Sequence, residues 1–163
     1  MKQLFLVKER YTVGEVSQLT GLTRRQLNTW DRNGFFSAAG WEPGQGRRAQ
    51  RRYYSPTDLL QLQFVSFLRR AGLTPRRIRN VLRNMAYAGI NLLEMLLDER
   101  DCHLVTDGDT ISLYRSAAEV VDILKRPGQR LIWFAVADHF RRLSAEVEDS
   151  ILERVAGKLR LTS

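Results

Sequence analysis

The sequence predicts an α+β protein, in which a helical N-terminal segment with one β-hairpin precedes a small C-terminal α/β module. Three observations predict this class. Four helix starts follow one another between Tyr11 and Met85, with an arginine-rich loop between the second and third. From residue 102 onward, strand and helix patterns alternate in the order ββαβα. The charge is also divided: 16 Lys/Arg against 5 Asp/Glu give +11 in residues 1–84, and 10 against 13 give −3 in residues 85–163.

The helix starts are predicted by N-terminal capping residues. Three of them carry a hydroxyl followed three positions later by an acid or amide: Thr12 with Glu15, Thr23 with Gln26, and Ser55 with Asp58. In such a capping box the hydroxyl accepts from an unpaired backbone N–H, and the acid or amide reaches back to the cap. Thr74-Pro75 predicts the fourth start, because proline suits the first helical position.

The stop signals place the first two helices close together. Gly21 ends the first helix, and the second runs roughly from Arg24 to Arg32. Only about three residues separate them, which is the spacing of a helix-turn-helix whose second helix is free to enter a groove. A Gly-, Pro- and Arg-rich loop over residues 39–50 and a short strand over residues 51–54 then predict a β-hairpin wing. The third helix is predicted from Pro56 to Ala71.

The rear of the chain predicts a smaller unit. Two apolar runs flank Asp107-Gly108-Asp109, which indicates a hairpin. Ser116 opens a helix that extends to about Lys125, residues 131–136 form an apolar strand, and a last helix begins at Asp138. We therefore expect a DNA-binding domain over residues 1–86, a connecting helix or linker over 87–101, and a dimerisation or effector module over 102–163.

Composition excludes several other classes of protein. Cys102 is the single cysteine, so an internal disulfide and a cysteine-rich zinc site are both excluded. Cys102, His103 and His139 lack the ligand count of a closed metal site, so we expect neither metal nor cofactor. No apolar run approaches the roughly 20 residues of a membrane span. No phosphate loop, Ser-His-Asp set or nucleophile elbow is present. We expect a cytoplasmic protein that is not an enzyme and contacts no membrane.

The segment from Tyr11 to Leu73 resembles the MerR family of bacterial transcription regulators. The matching residues are 11–27, 30–35, 52–55, 58–59 and 69–73, in the family's order and spacing. The basic hairpin is also similar to that of the family's heat-shock repressors. The resemblance implies a dimer that binds double-stranded DNA, with the second helix in the major groove and the wing on the flanking backbone.

The chain departs from the family pattern at three places. Asn28 stands where the family usually has arginine, and Thr29-Trp30 stands where it usually has two aromatic residues. The operator sequence of a relative therefore does not transfer to this chain. Gly89 and Asn91 interrupt the region in which the family usually has a long dimerisation helix.

The predicted DNA contacts lie on the second helix and on the wing. They are Thr23, Arg24, Arg25, Asn28, Thr29 and Arg32 on the helix, and Arg47, Arg48, Arg51, Arg52 and Tyr54 on the wing. Arginine pairs with guanine N7 and O6, and asparagine with adenine N6 and N7. The wing arginines are expected to neutralise phosphates. Tyr54 either offers its hydroxyl to a phosphate, which we favour, or packs beneath the wing. A solvated basic face is the alternative for the helix residues, and a disordered charged loop is the alternative for the wing arginines.

These observations lead to one leading hypothesis and two alternatives. The leading one is a sequence-specific regulator that binds a pseudo-palindromic operator as a homodimer, and whose rear module dimerises, senses an effector, or both. RNA polymerase is a further candidate partner of the protein. The first alternative is an architectural or excisionase-like DNA binder without an effector. The second is an antitoxin-like protein-interaction module. Affinity for DNA that falls steeply with salt would exclude the second alternative.

Overall fold

A computed structural model describes residues 9–43, 50–97, 101–125, 128, 130–136 and 138 of the chain. The described residues have an α+β fold, as predicted. Its elements in chain order are β1 (Tyr11–Thr12), α1 (Val13–Thr20), α2 (Arg24–Asn33), β2 (Gly40–Pro43), β3 (Gln50–Tyr54), α3 (Pro56–Arg70), α4 (Pro75–Tyr87), α5 (Leu92–Leu97), β4 (His103–Thr106), β5 (Ile111–Tyr114), α6 (Ala117–Leu124) and β6 (Ile132–Ala135).

The predicted helix starts are confirmed by their cap geometry. All three capping boxes are present at the starts of α1, α2 and α3. At α2, for example, the Thr23 hydroxyl accepts from the backbone N–H of Gln26 at 3.0 Å, and the Gln26 side chain accepts from the backbone N–H of Thr23 at 2.9 Å. Gly21 and Gly34 end α1 and α2 in the left-handed conformation, each at φ +76°, which glycine adopts without steric cost.

The wing is part of a three-stranded antiparallel sheet of order β1-β3-β2. The sequence predicted only a loop over residues 39–50, whereas residues 40–43 form the strand β2. Glycine and proline at the ends of β2 disfavour a strand, so it is the pairing with β3 that stabilises β2 as a strand. A Cβ on Gly40 would lie 2.5 Å from the Tyr53 hydroxyl oxygen, so any larger residue there would force the Tyr53 side chain to move. Arg47 and Arg48 lie outside the described residues.

The rear of the chain forms a second antiparallel sheet of order β5-β4-β6, with α6 packed against it. The predicted order ββαβ is confirmed as far as the described residues extend. The last predicted helix, from Asp138 onward, lies outside them. No described helix has both the length and the apolar run that a membrane crossing needs.

The rear sheet shares one hydrophobic core with the helices in front of it. The Phe134 ring of β6 lies 4.9 Å from the rings of both Phe64 and Phe67 in α3, measured between centroids. On α4, the side-chain amides of Asn80 and Asn84 donate to Asp109 in the β4–β5 turn. The expected boundary at residues 87–101 therefore separates two sequence patterns but not two cores.

Candidate nucleic-acid interface

Helix α2 is anchored by one face and exposes the other. Leu27 and Trp30 are buried, and the Trp30 ring meets Phe35 edge-on at 4.9 Å between centroids. The opposite face carries the predicted contacts Thr23, Arg24, Arg25, Thr29 and Arg32, all of them exposed. Within the described part of the chain, no carboxylate forms an ion pair with Arg24, Arg25 or Arg32. The exposed face of α2 is therefore strongly cationic.

The turn between α1 and α2 is held rigidly against α3. The Thr20 side-chain hydroxyl accepts from the backbone N–H of Leu22 at 3.2 Å. The Ser66 hydroxyl donates to the Thr20 carbonyl oxygen at 2.7 Å, across 46 positions of sequence. Because Thr20 and Ser66 are both buried, these bonds fix the angle at which α2 leaves the turn.

Arg52 of the wing is bonded to α2. Its Nη2 donates to Oδ1 of Asn28, and its Nη1 lies 3.1 Å from Oδ2 of Asp31. The other carboxylate oxygen of Asp31 accepts from the backbone N–H of Ala38 at 2.9 Å. The Arg52 and Asp31 side chains are only 17% and 19% exposed. The sequence predicted Arg52 as a phosphate contact and Asn28 as a base contact, and the structure brings these two side chains together.

The outer edge of the wing carries weaker ion pairs. Arg51 lies 2.9 Å and Arg10 3.4 Å from the same carboxylate, that of Glu42 on the neighbouring strand. Both arginines are about half exposed, so each pair is worth only about 0–1 kcal/mol. Arg10 and Arg51 are therefore exposed enough to meet a phosphate, with the Glu42 carboxylate, which is 16% exposed, competing for them. Beside them Trp41 is 56% exposed, and the Arg52 guanidinium lies 5.6 Å from its ring centroid.

Tyr54 was favoured as a phosphate contact, and the structure contradicts this role. Its side chain is 0% exposed, and its hydroxyl has no hydrogen-bond partner among the described residues. Burial raises the pKa of Tyr54 above its usual value; Arg52 opposes the rise, while Asp31 and Asp58 add to it. Tyr54 therefore packs beneath the wing, which was the alternative, and stabilises the sheet opposite Tyr11.

A second basic surface continues from the end of α2. The sequence predicted only part of it. A groove of about 560 Å³ is lined by Thr29, Trp30, Asn33, Phe35, Pro75, Arg76, Arg79, Asn80 and Arg83. From the sequence alone, Arg76 and Arg77 at the start of the fourth predicted helix are candidate backbone contacts, whereas Arg79 and Arg83 carry no such prediction. Their spacing of three and seven residues from Arg76 is the signal that identifies them, because such positions share one helix face.

Replacing Tyr54 by phenylalanine should leave DNA affinity unchanged and should not destabilise the protein. The substitution removes a buried hydroxyl that has no hydrogen-bond partner among the described residues, so we expect the free energy of unfolding to stay equal or rise by about 1 kcal/mol. Denaturant unfolding and duplex titration measure the two effects. A tenfold loss of affinity in a stably folded Tyr54→Phe protein would restore the phosphate role.

Alkaline pH should destabilise the protein through its buried phenols. Burial, with the charge of Glu15 adding to it, raises the pKa of Tyr11 to about 12, and the pKa of Tyr54 is also raised. A phenol whose pKa is higher in the folded state stabilises fully below its unfolded pKa of about 10, and this stability is lost as the pH rises towards 12. Thermal melts at about pH 9 and about pH 11 should differ, and Tyr54→Phe should reduce the difference. Equal melts at the two values would contradict this.

The described residues offer no group of three or more His, Cys, Asp or Glu side chains placed to hold a metal ion. The described residues form a cationic face on α2. A β-hairpin that is hydrogen-bonded to α2 lies beside this face, and the basic groove between α2 and α4 adjoins it. Such a surface fits a polyanion with regular grooves.

Comparison with known proteins agrees with this geometry. Residues 11–85 match the family described as MerR HTH family regulatory protein. The match begins at β1, spans both helices of the helix-turn-helix and the wing, and ends within α4. No curated protein sequence matches the chain. Residues 11–85 are therefore a DNA-binding domain of the MerR helix-turn-helix family of transcription regulators.

Proposed function

We propose that this chain is a sequence-specific transcription regulator that binds double-stranded DNA with α2 in the major groove and the wing along the adjoining backbone. The observation that carries the proposal is the α2 face itself. Arg24, Arg25 and Arg32 are exposed on one side of a helix whose other side is anchored in the core. A helix with this presentation fits the width of the major groove of B-DNA, about 12 Å.

The exposed arginines serve two kinds of contact, some with base edges and others with the phosphate backbone. An arginine that meets guanine through two hydrogen bonds contributes about 1–3 kcal/mol of discrimination. Arg51 on the wing, and Arg76, Arg79 and Arg83 on α4, flank α2 on two sides, so they suit phosphates on either side of the groove. The net charge of +11 in residues 1–84 against −3 in the rest orients the chain towards DNA from a distance.

The proposal includes a homodimer on a pseudo-palindromic operator, which the family resemblance supports. Two copies related by a two-fold axis place their α2 helices in successive major grooves, about 34 Å apart. The apolar side chains Val121 and Leu124 on α6 are each 42% exposed, and they give the rear module an apolar surface available for self-contact or for an effector. Sedimentation of the full chain, alone and with the operator, should give two copies per duplex.

Titration of a selected duplex at rising salt tests the proposal. The logarithm of the association constant should fall linearly with the logarithm of the salt concentration, by about 0.9 per phosphate neutralised. Random-sequence duplex should bind at least a thousandfold more weakly than the selected duplex, within the range of about 10³ to 10⁷ that specific readers reach. Equal binding to both would indicate an architectural protein instead. Absence of salt-sensitive binding would leave the antitoxin-like interaction module as the better account.

A further inference from the structure

Strand β6 is an open edge of the rear sheet. The sheet has the order β5-β4-β6, so only one side of β6 is paired. Within the part of the chain that the structure describes, no backbone group is hydrogen-bonded to the other side of β6. The segment from Leu131 to Val136 also contains no charged residue and no proline. Both are features by which exposed edge strands avoid pairing with a further strand, and β6 lacks them.

The register of the sheet shows which backbone groups of β6 face its open side. The backbone N–H of Val136 donates at 3.1 Å to the carbonyl oxygen of Cys102, which lies directly opposite in the register of β4 and β6. In an antiparallel pair, residues that exchange such bonds alternate with residues that do not. Phe134 therefore bonds to β4, whereas the N–H and C=O groups of Trp133 and Ala135 point to the open side. This side thus presents two donors and two acceptors at the spacing that another strand requires.

The outward groups of β6 are complementary to those of a second copy. When a second β6 lies antiparallel on a two-fold axis through Phe134, Trp133 of each copy lies opposite Ala135 of the other. Each of these two pairs exchanges two hydrogen bonds, so the outward groups of both strands are all satisfied. The large Trp133 side chain then lies beside the small Ala135, and both residues are partly exposed in the single chain.

The charges at the ends of β6 favour the same antiparallel orientation. Arg130 before the strand and Asp138 after it are both exposed, and neither forms an ion pair with another described residue. Each lies four positions from Phe134, so the antiparallel arrangement brings Arg130 of one copy towards Asp138 of the other. A parallel arrangement would bring like charges together. Exposed ion pairs contribute little affinity, so these charges select the orientation, and loss of Arg130 alone should leave the two copies together.

We infer that β6 of one copy pairs antiparallel with β6 of a second copy, so that two three-stranded rear sheets become one continuous sheet of six strands. The inference rests on the proposed function, and it names the surface through which the homodimer of that function forms. The same strand is used by both copies, so the contact is a closed two-fold interface that occupies both β6 edges and leaves neither for a third copy.

Amide hydrogen exchange of the full chain, resolved by residue and measured without DNA, tests the inference. At a concentration at which sedimentation gives two copies, the N–H groups of Trp133 and Ala135 should exchange on the order of tenfold more slowly than after dilution to the monomer. The N–H of Phe134 bonds to β4 in both states, so it is the control within the same strand and should change much less.

Three results of this experiment would overturn the inference. The first is a chain that stays monomeric at every concentration. The second is a dimer in which Trp133 and Ala135 exchange as fast as in the monomer, because another surface then forms the dimer. The third is slow exchange that persists in the monomer, because another segment of the same chain then covers the edge.

A substitution at Ala135 tests the same contact by dissociation. Ala135→Pro removes the outward N–H and places a ring at the open side, where an edge strand tolerates proline. Ala135→Ser is the matched control, since it keeps the N–H and nearly the same size. Sedimentation should show a dissociation constant raised by about a hundredfold or more in Ala135→Pro, and changed by no more than about threefold in Ala135→Ser. A folded Ala135→Pro protein that dimerises as before would overturn the inference. If thermal melts show that this variant does not fold, the exchange experiment on the unaltered chain decides.

Failure of this inference is distinguishable from failure of the proposed function. A monomer that binds a selected duplex with steep salt dependence would overturn the pairing through β6 and leave the DNA-binding regulator intact. A dimer paired through β6 that binds no duplex would support the pairing and contradict the proposed function.

Discussion

Replacing Arg24 and Arg25 together by alanine should reduce affinity for the selected operator by on the order of a hundredfold or more. Each arginine is expected to contribute about 1–3 kcal/mol if it meets a base edge, and a phosphate contact would add to the salt dependence. The fold should be retained, because both side chains are exposed and alanine favours the helix at least as well as arginine. Fluorescence anisotropy with labelled operator measures the loss.

A double variant elsewhere controls for the loss of net charge. Lys125 and Arg130 are exposed basic residues of the rear module, which carries no predicted DNA contact. Lys125→Ala with Arg130→Ala removes the same two charges, so it should reduce affinity only through the weaker long-range field. Equal losses in the two double variants would indicate that net charge, and not the α2 face, governs binding.

Replacing Phe134 by alanine should destabilise the whole chain by about 3–5 kcal/mol, the range for a buried aromatic residue. Its ring packs edge-on against Phe64 and Phe67 of α3, so the cavity would open between the rear sheet and the DNA-binding domain. Because the two share one core, unfolding should remain a single transition. Trp30 belongs to α2 and Trp133 to β6, so tryptophan fluorescence reports on both the helix-turn-helix and the rear sheet.

The loss of stability in Phe134→Ala is compared with that of a substitution at an exposed position of the same module. Ser112 on β5 is exposed, and Ser112→Ala should change the free energy of unfolding by no more than about 0.5 kcal/mol. If Phe134→Ala unfolds in two steps, with the first leaving the helix-turn-helix intact, then the rear sheet is an independently stable domain and the shared core contributes little.

The helices of the DNA-binding domain were predictable because their boundaries depend on local chemistry. Thr23 and Gln26 form their reciprocal bonds within four residues, and Gly34 ends the helix by its own backbone preference. The cationic face of α2 was predictable for the same reason, since helical spacing alone places Arg25 and Arg32 on the side away from Leu27, with Arg24 at the edge of that face.

The features that the sequence did not predict depend on distant partners. Strand β2 is defined by its pairing with β3 across the hairpin, where Gly40 lies opposite Tyr53 and leaves room for its side chain. The hydrogen bond from Arg52 to Asn28 spans 24 positions, so no local sequence pattern predicts it. Tyr54 illustrates the converse error: its position in a basic strand suggested exposure, but the alternation of the strand turns it towards the core.

A photo-cross-link from α2 to a bound duplex tests the central claim most directly. Thr29 is exposed on α2, where the helix borders the basic groove, so a photoreactive phenylalanine placed there should cross-link to a base of the operator on irradiation. The same residue placed at Ala118, exposed on α6, should give no cross-link. Cross-links from position 118, with none from position 29 while the operator remains bound, would contradict the account.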